Sequence, residues 1–287
     1  MATEVASWNL KDALSDAERV DDVLSWVETE QPDVAAFQEA LREGYTQHLA
    51  RAVGELASLG YAASLVDYED GDGRADRHML MMIAKRERLA PVPYGSVRMA
   101  GRNALRMSLR DDQAGGTLVD VYGAHLDDRF ASNRLCQARD LTRNRRVVDT
   151  VLLLDGNNVH RNTAMARALR LAKPIAHLLP TANPDPDVKP PKLKRIGSLA
   201  QRMTGMADGR ALQYLQEDLG VNGFVDADPC HQPTMPSKRP FLQLDHIMHD
   251  RMMRVDDGSF RVYPHNDLSD HRAISARLLV AQQPIDA

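Results

Sequence analysis

The chain has 287 residues, 43% of them hydrophobic and 26% charged, and its 36 Lys and Arg against 40 Asp and Glu leave a formal charge of −4. That composition excludes a chain dominated by disorder, and the slight acidity excludes a global positive field drawing it to nucleic acid or to an anionic membrane. Two cysteines, Cys136 and Cys230, are too few for a disulfide framework or a zinc site of their own.

The N-terminus carries Glu4 where a leader would be basic, and no apolar run approaches the roughly 18 residues of a membrane span, so a cytoplasmic protein with no membrane span is expected. The length admits one or two domains; the expectation is one domain over 1–287, acting as a monomer.

Residues 5–10 and 34–38 are short β-favouring apolar runs, and between them Ser15 and Glu18 stand in capping-box spacing before Val20, Val23, Leu24 and Val27. This predicts strand, helix, strand. A second helix is expected over 46–59, where Leu49, Val53 and Leu56 recur at helical spacing and Gly60 supplies a stop, followed by a strand at 61–66. Short strands at 79–84, 105–109 and 118–124, separated by turn residues, predict antiparallel neighbours. Residues 131–150 read as helix, 151–154 as a fully apolar strand and 164–179 as helix.

The stretch from Pro180 to Arg202 holds five of the 15 prolines with Lys189, Lys192, Lys194 and Arg195, which predicts a Pro-rich basic insertion around 180–205. Beyond it come a helix at 211–219 and strands near 224–226, 242–248, 260–263 and 273–280. Strands and helices in this mixed order indicate an α+β layer structure.

Polar residues recur where apolar strands end: Asn9, Glu39, His125 with Asp127, and Asp155 with Asn157, while Ser269-Asp270-His271 precedes the last strand. Strand ends on a rigid sheet hold polar groups without burying charge in the core, and a set of hard oxygen donors plus imidazoles suits Mg²⁺ or Mn²⁺ better than zinc. Other patterns have simpler readings. The acidic stretch 67–76 has Arg74 at the third ligand position of a calcium loop, so it reads as a solvated loop. His249-Asp250 reads as structural, and Arg134, Gln137 and Arg139 as the solvated face of a helix.

Five motifs, SWN, FQEA, GAHLD, LDGNN and SDHRAI, stand in one order along residues 5–279, with HQPTMPSKRPFLQLDHIM before the last of them. In that order they resemble the endonuclease/exonuclease/phosphatase superfamily. The resemblance implies a four-layer α/β/β/α sandwich of two mostly antiparallel sheets flanked by helices. It also implies a Mg²⁺- or Mn²⁺-dependent hydrolase of phosphate esters.

By the same resemblance Glu39 is the main metal ligand, Asn9 a second ligand or a phosphate contact, and Asp270 a contact to metal or nucleophile. Asp155 would orient or deprotonate the attacking water and Asn157 would hold Asp155 or the phosphate. His271 would bind a phosphate oxygen with Asp245 setting its tautomer, and His125 would contact the phosphate from the other side. Where several nuclease members have an acidic residue two positions after the Asn, this chain has Lys11, which argues against a second metal site.

The substrate expectation is a phosphodiester, with DNA or RNA as the partner reached through the basic insertion. A phosphomonoester, or a lipid or small-molecule phosphodiester, is the alternative. A catalytically silent binding member of the same fold is the opposing class.

Overall fold

The computed structural model describes residues 2–42, 47–67, 78–111, 117–128, 130–158, 168–169, 171–172, 203, 206, 208–217, 223–236, 238, 240, 242–264 and 267–280. The acidic stretch past residue 67, most of the expected helix at 164–179 and the basic insertion apart from Met203 lie outside the described residues.

The first sheet contains β1 (Ala2–Asn9), β2 (Val34–Arg42), β3 (Tyr61–Asp67), β4 (His78–Lys85), β11 (Met253–Val255), β12 (Arg261–Val262) and β13 (Ile274–Val280). Its order is β11-β13-β1-β2-β4-β3, with β12 also paired to β13. The second contains β5 (Leu89–Met99), β6 (Arg102–Asp111), β7 (Thr117–His125), β8 (Asp149–Asp155), β9 (Phe224–Asp226) and β10 (Asp245–Asp250), in the order β5-β6-β7-β8-β10-β9. Helices α1 (Ala17–Glu30) and α2 (Gln47–Ser58) pack on the first sheet, and α3 (Ala131–Arg143) and α4 (Arg210–Glu217) on the second.

Alternation along the strands builds the layers. On β1, Val5 enters the core between the sheets while Ala6 and Trp8 face the helices; on β2, Val34 and Ala36 point inward and Ala35 and Phe37 outward. The inner core joins Val34, Leu80 and Met82 of the first sheet to Met107, Val121, Leu153 and Ile247 of the second. Gly123 permits the close approach there, because a Cβ on it would lie 2.9 Å from Met82 Sδ and 3.0 Å from Ala36 Cβ. The outer cores set Val20, Val23 and Val27 against Trp8 and Phe37, and Ala138, Leu141 and Leu215 against Tyr122 and Leu154. The result is the expected four-layer α/β/β/α sandwich.

Each sheet contains one parallel pair, β1 with β2 and β7 with β8, linked through α1 and α3. Crossovers of this kind leave the C-terminal ends of both strands at one edge, the place where α/β sheets hold ligands. The antiparallel neighbours β13 and β10 begin at that same edge, since Ser7 pairs with Ile274 and Asp155 with Asp245. Asn9, Glu39, His125, Asp155, Asp245 and His271 are thereby brought to one end of the sandwich.

Several local readings are corrected. Asp16, not Ser15, caps α1, its side chain accepting from Glu18 N at 3.0 Å, while Ser15 Oγ accepts from Arg42 N. The helix read over 131–150 stops at Arg143 with Asn144 as C-cap, because β8 needs its strand backbone from Asp149 onward. β5 is missing from the sequence reading since Pro91 and Pro93 break its pattern; it is an edge strand, where a missing N–H is tolerated. The short strand β11 is also missing from that reading. Arg134 and Gln137 are buried rather than solvated: Arg134 donates to Asp127 O, and Gln137 accepts from Asp127 N and donates to Ala100 O. Among the described residues no helix is long and apolar enough to cross a membrane.

Candidate active site

Glu39 owes its position to a break in the ladder. Between Phe37 and Leu41, β2 slips against β4, and Glu39 sits at φ 46°, in the left-handed region that non-glycine residues avoid. The bulge re-aims the side chain, and Glu39 Oε1 lies 3.7 Å from His125 Nε2 on the facing sheet.

Asp155, at the end of β8, is fully buried and held from three directions. Asn9 Nδ2 donates to its Oδ2 at 2.8 Å, Asn157 N donates to its Oδ1 at 3.0 Å, and His125 Nε2 lies 3.5 Å from Oδ2. Asn157, at φ 44°, turns the chain so that its amide reaches Asp155 while its side chain donates to Leu126 O at 2.9 Å. That second bond ties the end of β8 to the segment following His125. Burial pushes the Asp155 carboxyl up to about 6, with Asp245 and Glu39 adding to the rise and His271 and the Asn9 hydrogen bond opposing it.

His271 forms the opposite wall. Its Nδ1 lies 2.9 Å from Asp245 Oδ2 and 3.2 Å from Oδ1, and Asp245 is itself fully buried. Burial disfavours the charged ring, but the Asp245 and Asp155 carboxylates outweigh it and lift His271 to about 10. The two carboxylates thus favour the imidazolium form of the ring. Asp155, Asp245 and His271 offer atoms that all lie within 4.8 Å of one another. With His271 Nδ1 already engaged by Asp245, the trio reads as a hydrogen-bonded charge cluster.

The structure brings together Asn9, Glu39, His125, Asp155, Asp245 and His271, with Asn157 behind them. Asp270, whose charge acts on the adjoining His271, has a partly exposed carboxylate with Lys11 Nζ 2.7 Å from Oδ2. The Asn9 side chain donates to Asp155 and accepts from Lys11 N at 3.0 Å. His249 and Asp250 lie at the far end of β10, where Asp250 accepts from Thr150 N at 2.7 Å and pairs with Arg145, in keeping with a structural role.

Residues given no role of their own in the sequence reading hold the site in place. Thr234 Oγ1 accepts from Leu244 N at 3.2 Å and Asp245 N at 3.3 Å, fixing the start of β10. Ser269 Oγ donates to Asn9 O and accepts from His271 N at 3.0 Å, while Trp8 Nε1 donates to His271 O at 3.3 Å. A second buried pair, His246 Nδ1 with Asp226 Oδ2 at 2.9 Å, underlies the turn after Asp155. Its ring explains Gly156, where a Cβ would lie 3.1 Å from His246 Cδ2. Arg102 donates to His125 O and Leu126 O, both at 3.1 Å, bracing the strand end that carries His125. Trp8, Thr234, His246 and Ser269 stand inside the motif segments, whereas Asp226 and Arg102 carry no such signal in the sequence.

No protein-family model and no curated protein matches the sequence. Solved structures do match over nearly the full chain. An endonuclease/exonuclease/phosphatase from Bacteroides vulgatus is 15% identical with a TM-score of 0.64, covering 98% of this chain and 99% of that one. ANGEL2, a 2′,3′-cyclic phosphatase solved with adenosine-2′,3′-vanadate, is 14% identical with a TM-score of 0.61, covering 97% and 95%. A mannosyl-6-phosphatase from Bacteroides thetaiotaomicron is 12% identical with a TM-score of 0.59, covering 96% and 99%. The shared fold is that of the endonuclease/exonuclease/phosphatase proteins, as the order of motifs in the sequence implies.

Proposed function

We propose that the chain is a Mg²⁺- or Mn²⁺-dependent hydrolase of phosphate esters, acting on phosphodiesters. The observation that carries this reading is the buried Asp245–His271 pair beside Asp155, an imidazolium and a carboxylate of raised pKa held together at the mouth of two sheets. A phosphate ester needs a proton acceptor for the attacking water and fixed positive charge for the phosphoryl oxygens, and this cluster offers both.

Asp155, steered by Asn9 and by the amide of Asn157, takes the proton of a water whose oxygen attacks phosphorus. The ester P–O bond breaks and the departing oxygen leaves with its electron pair. His271 donates from Nε2 to a phosphoryl oxygen as charge builds, while Asp245 keeps Nδ1 occupied and the ring in place. His125, between Glu39 and Asp155, contacts the phosphate from the opposite side. Glu39, Asp270 and the Asn9 carbonyl oxygen would hold the divalent cation, which supplies neutralising charge to the phosphate when bound; hard oxygens of this kind fit Mg²⁺ or Mn²⁺.

A second reading, a phosphomonoesterase or an esterase of a small soluble phosphate, is favoured by the net charge of −4 and by the two phosphatases among the similar structures. The test is turnover of bis(p-nitrophenyl) phosphate, p-nitrophenyl phosphate, abasic-site DNA, single-stranded DNA, sphingomyelin and phosphoinositides with Mg²⁺. Release from the diester alone or with the nucleic acids supports the first reading, and release from monoesters alone supports the second. A protein inert on all of them, yet folded and cation-bound, would be a silent binding member.

A further inference from the structure

The backbone around Lys11 is tied to the site by several hydrogen bonds. β1 ends at Asn9, and Lys11 follows at φ 46° with its N–H donated to Asn9 Oδ1 at 3.0 Å. Asp12 N donates to Glu39 O at 2.7 Å, so the backbone on one side of Lys11 is tied to the bulge that carries Glu39. Arg19 donates to Leu10 O at 3.1 Å and to Lys11 O at 3.3 Å from α1. With the backbone fixed this way, the ammonium reaches across to the Ser-Asp-His turn and lies 2.7 Å from Asp270 Oδ2. That turn is anchored in its own right, through Ser269 Oγ to Asn9 O.

We propose that Lys11 sets the affinity of the site for its divalent cation by holding Asp270 as an ion-pair partner. The proposal rests on the cation reading above and deepens it. A carboxylate oxygen committed to an ammonium is a poorer ligand for a second cation, and the fixed positive charge repels one nearby. Of the two proposed carboxylate ligands only Glu39 is then not paired with an ammonium, which favours a single, weakly held ion. Lys11 is a tuning residue and not a catalytic one.

The lysine side chain is 56% exposed and that of Asp270 34%, so the pair is screened and its effect is bounded. Removing it should tighten cation binding by about fivefold at most, the affinity equivalent of an exposed ion pair.

The test is Mn²⁺ titration of the full chain, followed calorimetrically, for wild type, Lys11→Met, Lys11→Arg, Asp270→Asn and the double variant Lys11→Met with Asp270→Asn. Unfolding temperatures in EDTA confirm that each variant folds, and Lys11→Gln, which also removes the charge and should tighten binding in the same way, carries the test if Lys11→Met does not fold. The expected result is tighter Mn²⁺ binding in Lys11→Met, near-wild-type binding in Lys11→Arg, and a smaller tightening by Lys11→Met once Asp270 is Asn, where only the repulsion by the ammonium is relieved. Equal affinities for wild type and Lys11→Met, or weaker binding in Lys11→Arg together with wild-type binding in Lys11→Met, overturn the proposal while leaving the cation reading intact. Equal tightening with and without Asp270 overturns the pairing as its cause. Absence of saturable Mn²⁺ binding in every variant overturns both.

Discussion

Asp155 and Asp245 stand opposite each other in register on antiparallel β8 and β10, two fully buried carboxylates on neighbouring strands. Like charges so placed destabilise each other, and His271 compensates by lying 2.9 Å from Asp245 within the same cluster. The local charge balance, and with it the ionisation of Asp155, depends on that one imidazole.

A pH profile should display this. Asp155, pushed up to about 6 chiefly by burial, must be ionised to accept a proton, so kcat/KM should fall as pH drops through about 6. His271 must be protonated, and with the ring held at about 10 the alkaline limb should lie near there. The limbs belong to the coupled cluster. Asp245→Asn should bring the alkaline limb down toward the ordinary histidine value, about 6.5, and narrow the plateau. An alkaline limb that does not move would take the assignment away from His271. Stability follows the same sign: a histidine raised in the folded state contributes fully below its unfolded pKa and loses that contribution as pH rises through about 10.

Asp155→Asn separates chemistry from folding. The substitution removes a buried charge and keeps an oxygen that can accept from Asn157 N, while the bond from Asn9 Nδ2 is lost, so the two effects oppose each other and the unfolding temperature at pH 7 should stay close to that of wild type. Loss of the proton acceptor should lower kcat by about 10²- to 10⁴-fold with little change in KM. A raised KM at unchanged kcat would make Asp155 a binding residue.

Asp245 and His271 should behave as one unit. Because they are in direct contact, Asp245→Ala should reproduce much of the loss in His271→Ala, and the double variant should be little worse than either. Losses in kcat/KM that simply add would defeat the pairing.

The layers and the convergence of strand ends are legible in the sequence because both rest on periodicity: apolar alternation fixes which face each strand buries, and the polar residue breaking each run marks its end. Asn9, Glu39, His125, Asp155 and His271 can be found that way. The pairing of Lys11 with Asp270 cannot, since it joins residues 259 apart in sequence through a backbone turn at positive φ. Arg134 and Gln137 mislead for a related reason. Polar residues on an amphipathic helix read as solvated unless a loop without periodicity, here the one following His125, covers them and takes their hydrogen bonds. β5 hides behind its prolines, which only an edge position makes compatible with a strand.

Glu39→Gln removes the anionic oxygen that the proposed cation site depends on most. Activity with Mg²⁺ should collapse, and the rise in unfolding temperature on adding Mn²⁺ should shrink, as ligand linkage requires. The bulge is a backbone feature and survives the substitution, so the unfolding temperature in EDTA should stay close to that of wild type. Undiminished turnover of wild type in excess EDTA would remove the cation from the reading altogether.

The choice between nucleic acid and a small ester turns on the basic stretch that contains Lys192, Lys194 and Arg195. With a net charge of −4 the rest of the chain does not attract a polyanion, so contacts with a nucleic-acid backbone must come from a local cluster, and this is the one that the sequence provides. Replacing the three with Gln should weaken binding of a catalytically silenced Asp155→Asn protein to oligonucleotides. It should also reduce the slope of log affinity against log salt by about two to three, the release expected for three phosphate contacts. Hydrolysis of bis(p-nitrophenyl) phosphate by the same triple variant with Asp155 restored should be unchanged, because that substrate has no backbone to reach the stretch. If binding and salt slope are the same with and without the three charges, the stretch makes no phosphate contact, and a small soluble phosphate ester becomes the substrate that the site's single-phosphate chemistry best fits.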